Sequence, residues 1–488
     1  MVWLMDFPIH IRPDAEEPLY RQLFEQIAAR IRSGDLPRGE RLPATRELAG
    51  ILGLNRTTVS AAYAMLEEHG LISGQVGRGS FVRGDAERPA AGVDWGTTLP
   101  AAGLSSGFGR DDIGFVMSRP SADLFPLDDF RDTCEAVLAR RDLADILQLG
   151  SPSGFEPLRR RLLDDARAEQ LAGPGDDILI TNGCQQALDL IGRVLVRPGD
   201  TVAVEDPIYP GLKNLLAGLG AQLAGIPVGP RGIDIAQAER ILRDKPRFVV
   251  VTSNFQNPTG ATLPLESRLA LLEAARTAGV PVVENDAYGD LRYTGEPLPA
   301  LKQLDARGGT VLLRSFSKVS FPGLRVGWAL GPKPLLDRLR QAKEAADLHT
   351  DQLSQAVLLE FLESGRLEKH RAHVRAAGGE RLAATIAGCR EFLPPGTQWT
   401  EPEGGMNVWV RLPAPLDASD LLQRARQEGV AFLPGRYFAV SRPDPGGLRL
   451  SFASLPPEKI REGLAILGRI LRNELDARER LEPSPAMV

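Results

Sequence analysis

Lysine is scarce in this sequence. It supplies 8 of the 58 basic residues, and none lies before Lys213. A coding bias toward arginine accounts for that, but it makes any lysine inside a motif conspicuous. An excess of positive charge is also missing: 63 acidic residues give a formal net charge of −5. No bulk charge therefore draws the chain to nucleic acid, whose phosphates need local positive charge, although a small basic face stays open. Cysteine is nearly absent. Cys134, Cys184 and Cys389 are scattered and odd in number, which excludes a disulfide framework and a zinc site and points to a reducing cytoplasm. No apolar run approaches the ~20 residues that cross a bilayer. The start, Met1 to Asp6, meets an acid too early for a secretory signal.

What is present fits a globular protein: 43% hydrophobic and 25% charged residues over 488 positions, enough for roughly two to four domains. No repeat of solenoid period is found. The clearest boundary is a stretch rich in Gly, Ala, Pro and Ser without helical or strand period. It divides the chain into a small module over 1–84, a linker over 85–113, a large block over 114–478 and a frayed tail over 479–488.

In the small module, Leu19, Leu23, Ile27 and Ile31 recur at helical spacing and predict a helix over 18–32, ended by Ser33-Gly34. A second helix follows Pro43 and includes Leu48, Ala49 and Leu52. Gly53-Leu54 breaks it, and Asn55 caps a third helix with Val59, Ala62, Tyr63 and Leu66 on one face. Two short helices around a tight turn make a helix-turn-helix. Leu71 to Ser73 and Gly79 to Val82 suit the two strands of a wing, with Gly77-Arg78-Gly79 at its tip. Arg56, Thr57 and Thr58 open the third helix, the part of such motifs that meets base edges and phosphates. Arg46 and Arg78 add charge nearby. A dimerisation unit is the competing reading, since 10 Arg face 10 acids in this module.

Three runs decide between them: Gly39 to Ala49, Leu54 to Val59, and Gly77 to Val82. Together they resemble the GntR-type winged helix-turn-helix over nearly all of 17–83. The resemblance implies double-stranded DNA as partner, with Arg46, Arg56, Thr57, Thr58 and Arg78 as contacts.

The large block alternates strands (Ile178 to Ile180, Thr201 to Val204, Phe248 to Val251, Val280 to Val283, Thr310 to Leu313) with helices such as 267–278. That is an α/β pattern with a largely parallel sheet, whose ligands bind beyond the carboxyl ends of strands. Four features stand there. Thr181 to Gln185 opens a helix whose free N–H groups suit a phosphate, though many turns contain Gly. Asn254 to Gly260 is a turn in which Asn257 can donate to a ring oxygen. Asp286 can bind a metal, cap a helix or partner a cationic ring nitrogen, and no second acid or histidine stands at a spacing that favours metal. Lys318, one of the eight lysines, is either an ordinary surface residue or a desolvated Schiff-base amine.

In combination, Gly183, Asn257, Asp286, Tyr288, Lys318, Arg325 and Arg449 resemble the fold-type I aminotransferases that use pyridoxal 5'-phosphate, over about 114–472. The resemblance implies a large parallel-sheet subdomain and a smaller α/β C-terminal subdomain. It also implies site roles. Lys318 forms the internal aldimine and Asp286 pairs with the pyridinium nitrogen. Asn257 and Tyr288 bond the ring hydroxyl oxygen, and Tyr209 stacks on the ring. Gly183, Cys184, Ser315 and Arg325 hold the phosphate, and Arg449 clamps a substrate or effector carboxylate. Ser253 to Gly260 and Pro402 to Met406 are similar to the α-aminoadipate and aromatic aminotransferase branch. Leu149 departs from that pattern, standing where a tyrosine often reaches the neighbouring subunit's phosphate, and Cys184 replaces a hydroxyl residue.

The two halves in this order resemble the MocR-type regulators. The expectation is a cytoplasmic homodimer that binds an operator and senses an amino acid, an amine or the cofactor through Lys318. The alternatives are an aminotransferase with a DNA-binding appendage and a regulator that responds to pyridoxal phosphate alone.

Overall fold

Apolar residues three and four apart make α1 (Leu19–Ser33) amphipathic. It buries Leu23, Phe24, Ile27 and Ile31 and stops at Gly34, whose φ of +86° is the left-handed conformation a helix end takes cheaply only with glycine. α2 (Thr45–Leu52) stops in the same way at Gly53, φ +66°. α3 (Arg56–Glu68) starts where the Asn55 side chain accepts the Thr57 N–H at 3.1 Å. Leu48, Val59, Ala62, Tyr63 and Leu66 close a core with α1. β1 (Ile72–Gln75) and β2 (Gly79–Val82) pair antiparallel.

The structure, a computed structural model, describes residues 9–12, 17–75, 79–83, 113–441 and 443–479. The wing-tip Arg78 and residues 85–112 of the expected linker lie outside the described residues. Beside the two strands, Arg41 makes an isolated β-bridge with Phe81 that the sequence does not suggest. Gly39 N–H donates to Val82 O at 2.8 Å, and Leu42 N–H donates to Ser80 O at 2.9 Å. The stretch 39–42 is too short, and too close to Pro43, to show a strand period.

The chain divides into two units, Met1–Ser106 and Gly107–Val488. The second begins with β3 (Ile113–Gly114), so Ile113 is a strand residue rather than the last of a linker. Eight strands make the main sheet: β4 (Asp176–Thr181), β5 (Thr201–Asp206), β6 (Gln222–Gly229), β7 (Gly232–Ile233), β8 (Val249–Val251), β9 (Val282–Asn285), β10 (Thr310–Ser315) and β11 (Gly327–Pro332). Their order is β4-β11-β10-β9-β8-β5-β6-β7. β6, β5, β8, β9 and β10 run parallel, and β11 enters antiparallel between β10 and β4.

Unbroken apolar runs such as Val249 to Val251 fit a sheet covered on both faces. Val283 and Leu313 pack on one side, and Val282 and Val249 on the other. Each such side chain contributes about 1.5–3 kcal/mol when fully buried. α4 (Gly183–Leu195) and α5 (Leu265–Ala278) are among the covering helices.

The C-terminal part has a second sheet, from β12 (Gln398–Trp399), β13 (Asn407–Arg411), β15 (Leu433–Pro434) and β16 (Gly447–Ser451), while β14 (Val430–Ala431) pairs parallel with β3. α6 (Arg366–Phe392) and α7 (Pro457–Glu479) pack against each other beside it. Glu479, the expected first residue of a frayed tail, ends α7, and 480–488 lie outside the described residues. No helix among the described residues is long and apolar enough to cross a membrane.

α6 carries a titratable group in an apolar place. His370 is 4% exposed, stacked on Phe321 with an interplanar angle of 7° and edge-on to Phe361. Burial, then the charge of His373, holds its pKa down to about 4 from 6.5. The fold therefore keeps this ring neutral, whereas the unfolded chain takes a proton near pH 6.5. The stabilisation is complete above that value and is lost as pH falls from 6.5 toward about 4. His370→Leu should flatten the loss of stability across this window, by about 1–2 kcal/mol after solvent screening, and so the fall in melting temperature. An unchanged slope in thermal melts at pH 4 to 7 would show that His370 carries none of the acid sensitivity.

Candidate functional site

Several strands of the main sheet end on one side, and the sequence candidates gather there. β4 leads into α4, β5 into Tyr209, β8 into the 252–260 turn, β9 into Asp286 and β10 into Lys318. They border a cavity of about 480 Å³ lined by Cys184, Tyr209, Asn257, Tyr288, Ser315, Lys318, Arg325 and Arg449. Gly183 adjoins Cys184, and buried Asp286 stands between the lining residues Asn285 and Ala287. Leu149 is 72% exposed and lines no part of this cavity.

One end of the cavity is built for an anion. Gly183 opens α4 with φ +77°, and the N–H groups of that first turn have no helical partners. A Cβ at 183 would lie 2.6 Å from Arg325 Nη2 and make the guanidinium shift, and the φ of +77° itself favours glycine. Arg325 itself is held left-handed at φ +56°, where it donates to Asn182 O at 3.0 Å and toward Ser317 Oγ at 3.4 Å. Ser315 Oγ accepts the Ser317 N–H at 3.1 Å, which shapes the turn into Lys318. The helix start is pinned from outside: the Asn182 amide donates to Asp347 at 2.9 Å, and buried Lys343 donates to the same carboxylate at 2.9 Å. Burial pushes the Cys184 thiol up to about 12. It stays a neutral thiol and offers a backbone N–H rather than a charge.

The other end is built for a ring and an acid. The Asn257 amide donates to the Tyr288 hydroxyl at 3.3 Å, and Arg449 Nη1 donates to Asn257 Oδ1 at 3.0 Å. Burial brings Arg449 down to about 10, opposed by Tyr288 and Tyr209, so it remains a cation at neutral pH. Burial, and then Tyr288, raises the Tyr209 phenol. Asp286 accepts from Asn254 Nδ2 at 2.9 Å and from Arg314 Nε at 3.1 Å. Asn254 is in turn held by Arg268, a fully buried guanidinium that donates to Asn254 Oδ1 at 2.7 Å and to the carbonyls of Ser253, Leu263 and Pro299. The Lys318 ammonium donates to Ser118 O and sits 5.3 Å from the Tyr288 ring centre. Arg449 also donates to Val116 O.

Sequence reasoning missed Val116, Ser118, Asn182, Asn254, Arg268, Arg314 and Asp347. Most hold other residues rather than a ligand, and no local pattern marks such a role. Asn254, inside the quoted turn, had the clearest signal.

These residues fit pyridoxal phosphate. The Gly183–Arg325 cradle would be filled by any Cβ. Arg449 Nε is buried without a hydrogen-bond partner, as are Gln185 Oε1 and Asn285 Oδ1 on the cavity wall. The Arg449 N–H is a donor that a carboxylate would satisfy, whereas the two amide oxygens accept and would take a ligand O–H or N–H.

In the N-terminal unit, Arg56 and Thr57 are exposed and Thr58 half-buried at the first turn of α3, and Arg46 is exposed as the second residue of α2. Tyr63 donates to Pro43 O at 2.9 Å and so ties α3 to the approach of α2.

Comparison with known proteins agrees with both halves. The aminotransferase class I and II profile matches residues 125–467, and that of bacterial regulatory proteins of the gntR family matches 19–82. The HTH-type transcriptional regulator TauR of Rhodobacter capsulatus is 32% identical, covering 95% of this chain and 98% of its own. The probable rhizopine catabolism regulatory protein MocR of Rhizobium meliloti is 30% identical over 92% of this chain and 93% of its own. Among solved structures, LysN, the α-aminoadipate aminotransferase of Thermus thermophilus, complexed with N-(5'-phosphopyridoxyl)-L-leucine, superposes with a TM-score of 0.73. It is 34% identical, covering 79% of this chain and all of its own.

Gly183→Ala tests the anion end. It forces an alanine into φ +77° against Arg325, at a cost of roughly 1–3 kcal/mol. Absorbance titration should show pyridoxal phosphate binding weakened about tenfold or more, with the apoprotein still folded. Wild-type affinity would mean that this end is not where the phosphate sits.

Proposed function

The chain belongs to the gntR family of bacterial regulatory proteins, in the MocR-type branch that carries a class I and II aminotransferase domain, and on that premise we propose that it is a pyridoxal-phosphate-dependent transcriptional regulator. The observation that carries this reading is one chain holding both an exposed, arginine-bearing helix start and a cavity that gathers Lys318, Asn257, Tyr288 and Arg449, with buried Asp286 between two of its lining residues. The proposed division of labour is DNA recognition by 1–84, a linker after it, and sensing by the domain that runs to about 478.

When bound, the cofactor supplies a carbonyl carbon that exchanges one amine for another and a ring that draws electrons from it. The chain supplies the rest. Lys318 Nζ would hold the cofactor and would be the amine that an effector amine displaces. Gly183, Cys184, Ser315 and Arg325 would hold the phosphate, and Tyr209 would stack on the ring. Asn257 and Tyr288 would bond the ring oxygen, and Asp286 would pair with the ring nitrogen. Arg449 selects effectors with a carboxylate, because a planar guanidinium pairs with one through two hydrogen bonds.

Occupancy has a route to the linker. Lys318 and Arg449 both donate to main-chain carbonyls of Ser118 and Val116, a few residues after the 84–112 stretch. An effector that recruits either cation changes what holds this segment. Such differential contacts are what couple a site to a distant activity, typically by 1–3 kcal/mol. In a cytoplasmic homodimer the paired large domains set the spacing of two operator half-sites.

Full-length protein with pyridoxal phosphate should retard a DNA fragment from the region upstream of its own gene, and an amino acid should change that affinity. Absence of any retardation sinks the regulatory reading. Multiple turnovers with amino donors and keto acids would instead favour the enzyme, which retention of Lys318, Asp286 and Arg449 also suits. Lys318→Ala should abolish the visible absorption band of the bound cofactor and leave a folded protein, so a surviving band refutes Lys318 as the attachment point. Arg56→Ala should weaken specific binding by roughly 1–3 kcal/mol if it reads a base. An equal loss on unrelated sequences would make it a phosphate contact.

A further inference from the structure

Asp286 does not face the cofactor alone. β9 and β10 pair in parallel with Asn285 opposite Leu313, and the Asp286 N–H donates to Leu313 O at 2.9 Å. The next residue on β10, Arg314, therefore falls beside the carboxylate. Its Nε donates to Asp286 Oδ2 at 3.1 Å, and its Nη1 reaches Glu169 at 3.0 Å. The Asp286 side chain is 2% exposed and that of Arg314 is 26% exposed. Asn254 already occupies Oδ1. Arg314 lines a second cavity, of about 680 Å³, which shares no lining residue with the one around Lys318. Asp286 borders that second cavity too and adjoins the one around Lys318 through its neighbours Asn285 and Ala287, so Arg314 meets the carboxylate in the second cavity and not in the first.

We propose that Arg314 is a positioning residue that weakens the grip of Asp286 on the cofactor's ring proton, biasing the site toward holding an amine rather than turning it over. This rests on the pyridoxal phosphate reading above. A ring nitrogen takes a proton readily when an unshared carboxylate faces it. Here the carboxylate gives one oxygen to a guanidinium and the other to an amide. A protonated ring would also be the second cation on one anion, and like charges oppose each other in a buried place. The remaining charges near the pair do not cancel this. Asp290 and Glu169 face Arg314, but Asp290 is itself paired with Arg371 and Glu169 is largely exposed. Glu284, two residues before Asp286, is raised by burial and by Asp286, which favours its neutral form. Buried Arg268 adds a further positive charge near Asp286. A less protonated ring draws electrons more weakly. Exchange of amines at Lys318 remains possible while the later proton transfer slows.

The test reads the ring proton itself. Full-length protein is loaded with ring-15N pyridoxal phosphate, and the nitrogen shift is followed against pH by solid-state NMR. In Arg314→Gln the ring should keep its proton to a pH at least one unit higher, a tenfold change in its acidity constant, while Arg314→Lys should stay near wild type. Glu169→Gln, at an exposed site, should move the ring the other way by two- to threefold, because it leaves Arg314 less neutralised. An unchanged titration in Arg314→Gln overturns the inference, as does a shift to lower pH, which would make Arg314 a support of the ring proton. If Arg314→Gln does not load cofactor, Glu169→Gln decides, and no shift or a shift toward higher pH overturns the inference. A wild-type protein without the Lys318-dependent visible band fails the functional reading, and this inference with it. A normal band with an unresponsive ring nitrogen fails the inference alone.

Discussion

The organisation of the large domain turns on one buried carboxylate. Asp286 sits at the carboxyl end of the central strands, almost without solvent, two residues after another buried acid, Glu284. A lone carboxylate in such a place would be costly, so the surroundings must answer it. They do so in layers. Arg314 comes from β10 by strand register, and Asn254 comes from the turn after β8. Arg268 reaches in from α5 and gives all its hydrogen bonds to that turn and the loops beside it, so a guanidinium with no exposure fixes the amide that fixes the acid. Glu284 is met by the Ser253 hydroxyl and by the N–H groups of Leu301 and Lys302. The adjacent strand ends cannot shift without breaking this set, and Lys318 and Asn257 are carried on those same ends.

That arrangement explains what could be read from sequence. A residue that meets a ligand tends to lie just after a strand, and Gly183, Asn257, Asp286, Tyr288 and Lys318 each stood in such a turn. The small module was legible for a similar reason: helix periods, two glycine stops and an Asn cap are local signals, and α1 to α3 follow them. What was not legible depends on distance. Arg268 reads as one more polar residue of an amphipathic helix until the fold brings it to Asn254, 14 positions away. Ser118 and Val116 matter through carbonyl groups, which every residue has. The bridge of Arg41 to Phe81 is defined by its partner strand, and Leu149 lies exposed and away from the cavity.

The scarcity of lysine takes on a structural meaning here. Two of the eight lysines, Lys302 and Lys343, are buried ion-pair partners of Asp176 and Asp347. Lys343 acts at a distance, since its acid, Asp347, also holds Asn182 and Gln186 at the start of α4. Lys318 is the lysine at the cavity. The basic residues at the exposed helix starts of the N-terminal unit, Arg46 and Arg56, are arginines, whose fixed planar fork suits a base edge better than a mobile ammonium. Net charge was therefore a poor guide to partners. A charge of −5 over the whole chain says little about a unit of the gntR family that presents Arg56 at an exposed helix start.

A site that senses and a site that catalyses need not differ in the residues that touch the ligand. Both must hold the phosphate, the ring and a carboxylate, and both need a displaceable lysine. The difference has to lie in groups that decide how far the chemistry runs and in what the displaced groups let go. Arg314 belongs to the first kind: it changes the acid without reaching the ligand. The Val116 and Ser118 carbonyls belong to the second, because the two cations that an amino acid would recruit are the ones that hold them. Slow proton transfer lengthens the time for which an amine occupies the site. A signal passed through Lys318 and Arg449 lasts as long as that occupancy. Weakening the catalyst and sustaining the signal are then two effects of one arrangement, so a regulator can keep a whole aminotransferase site without being selected to turn it over.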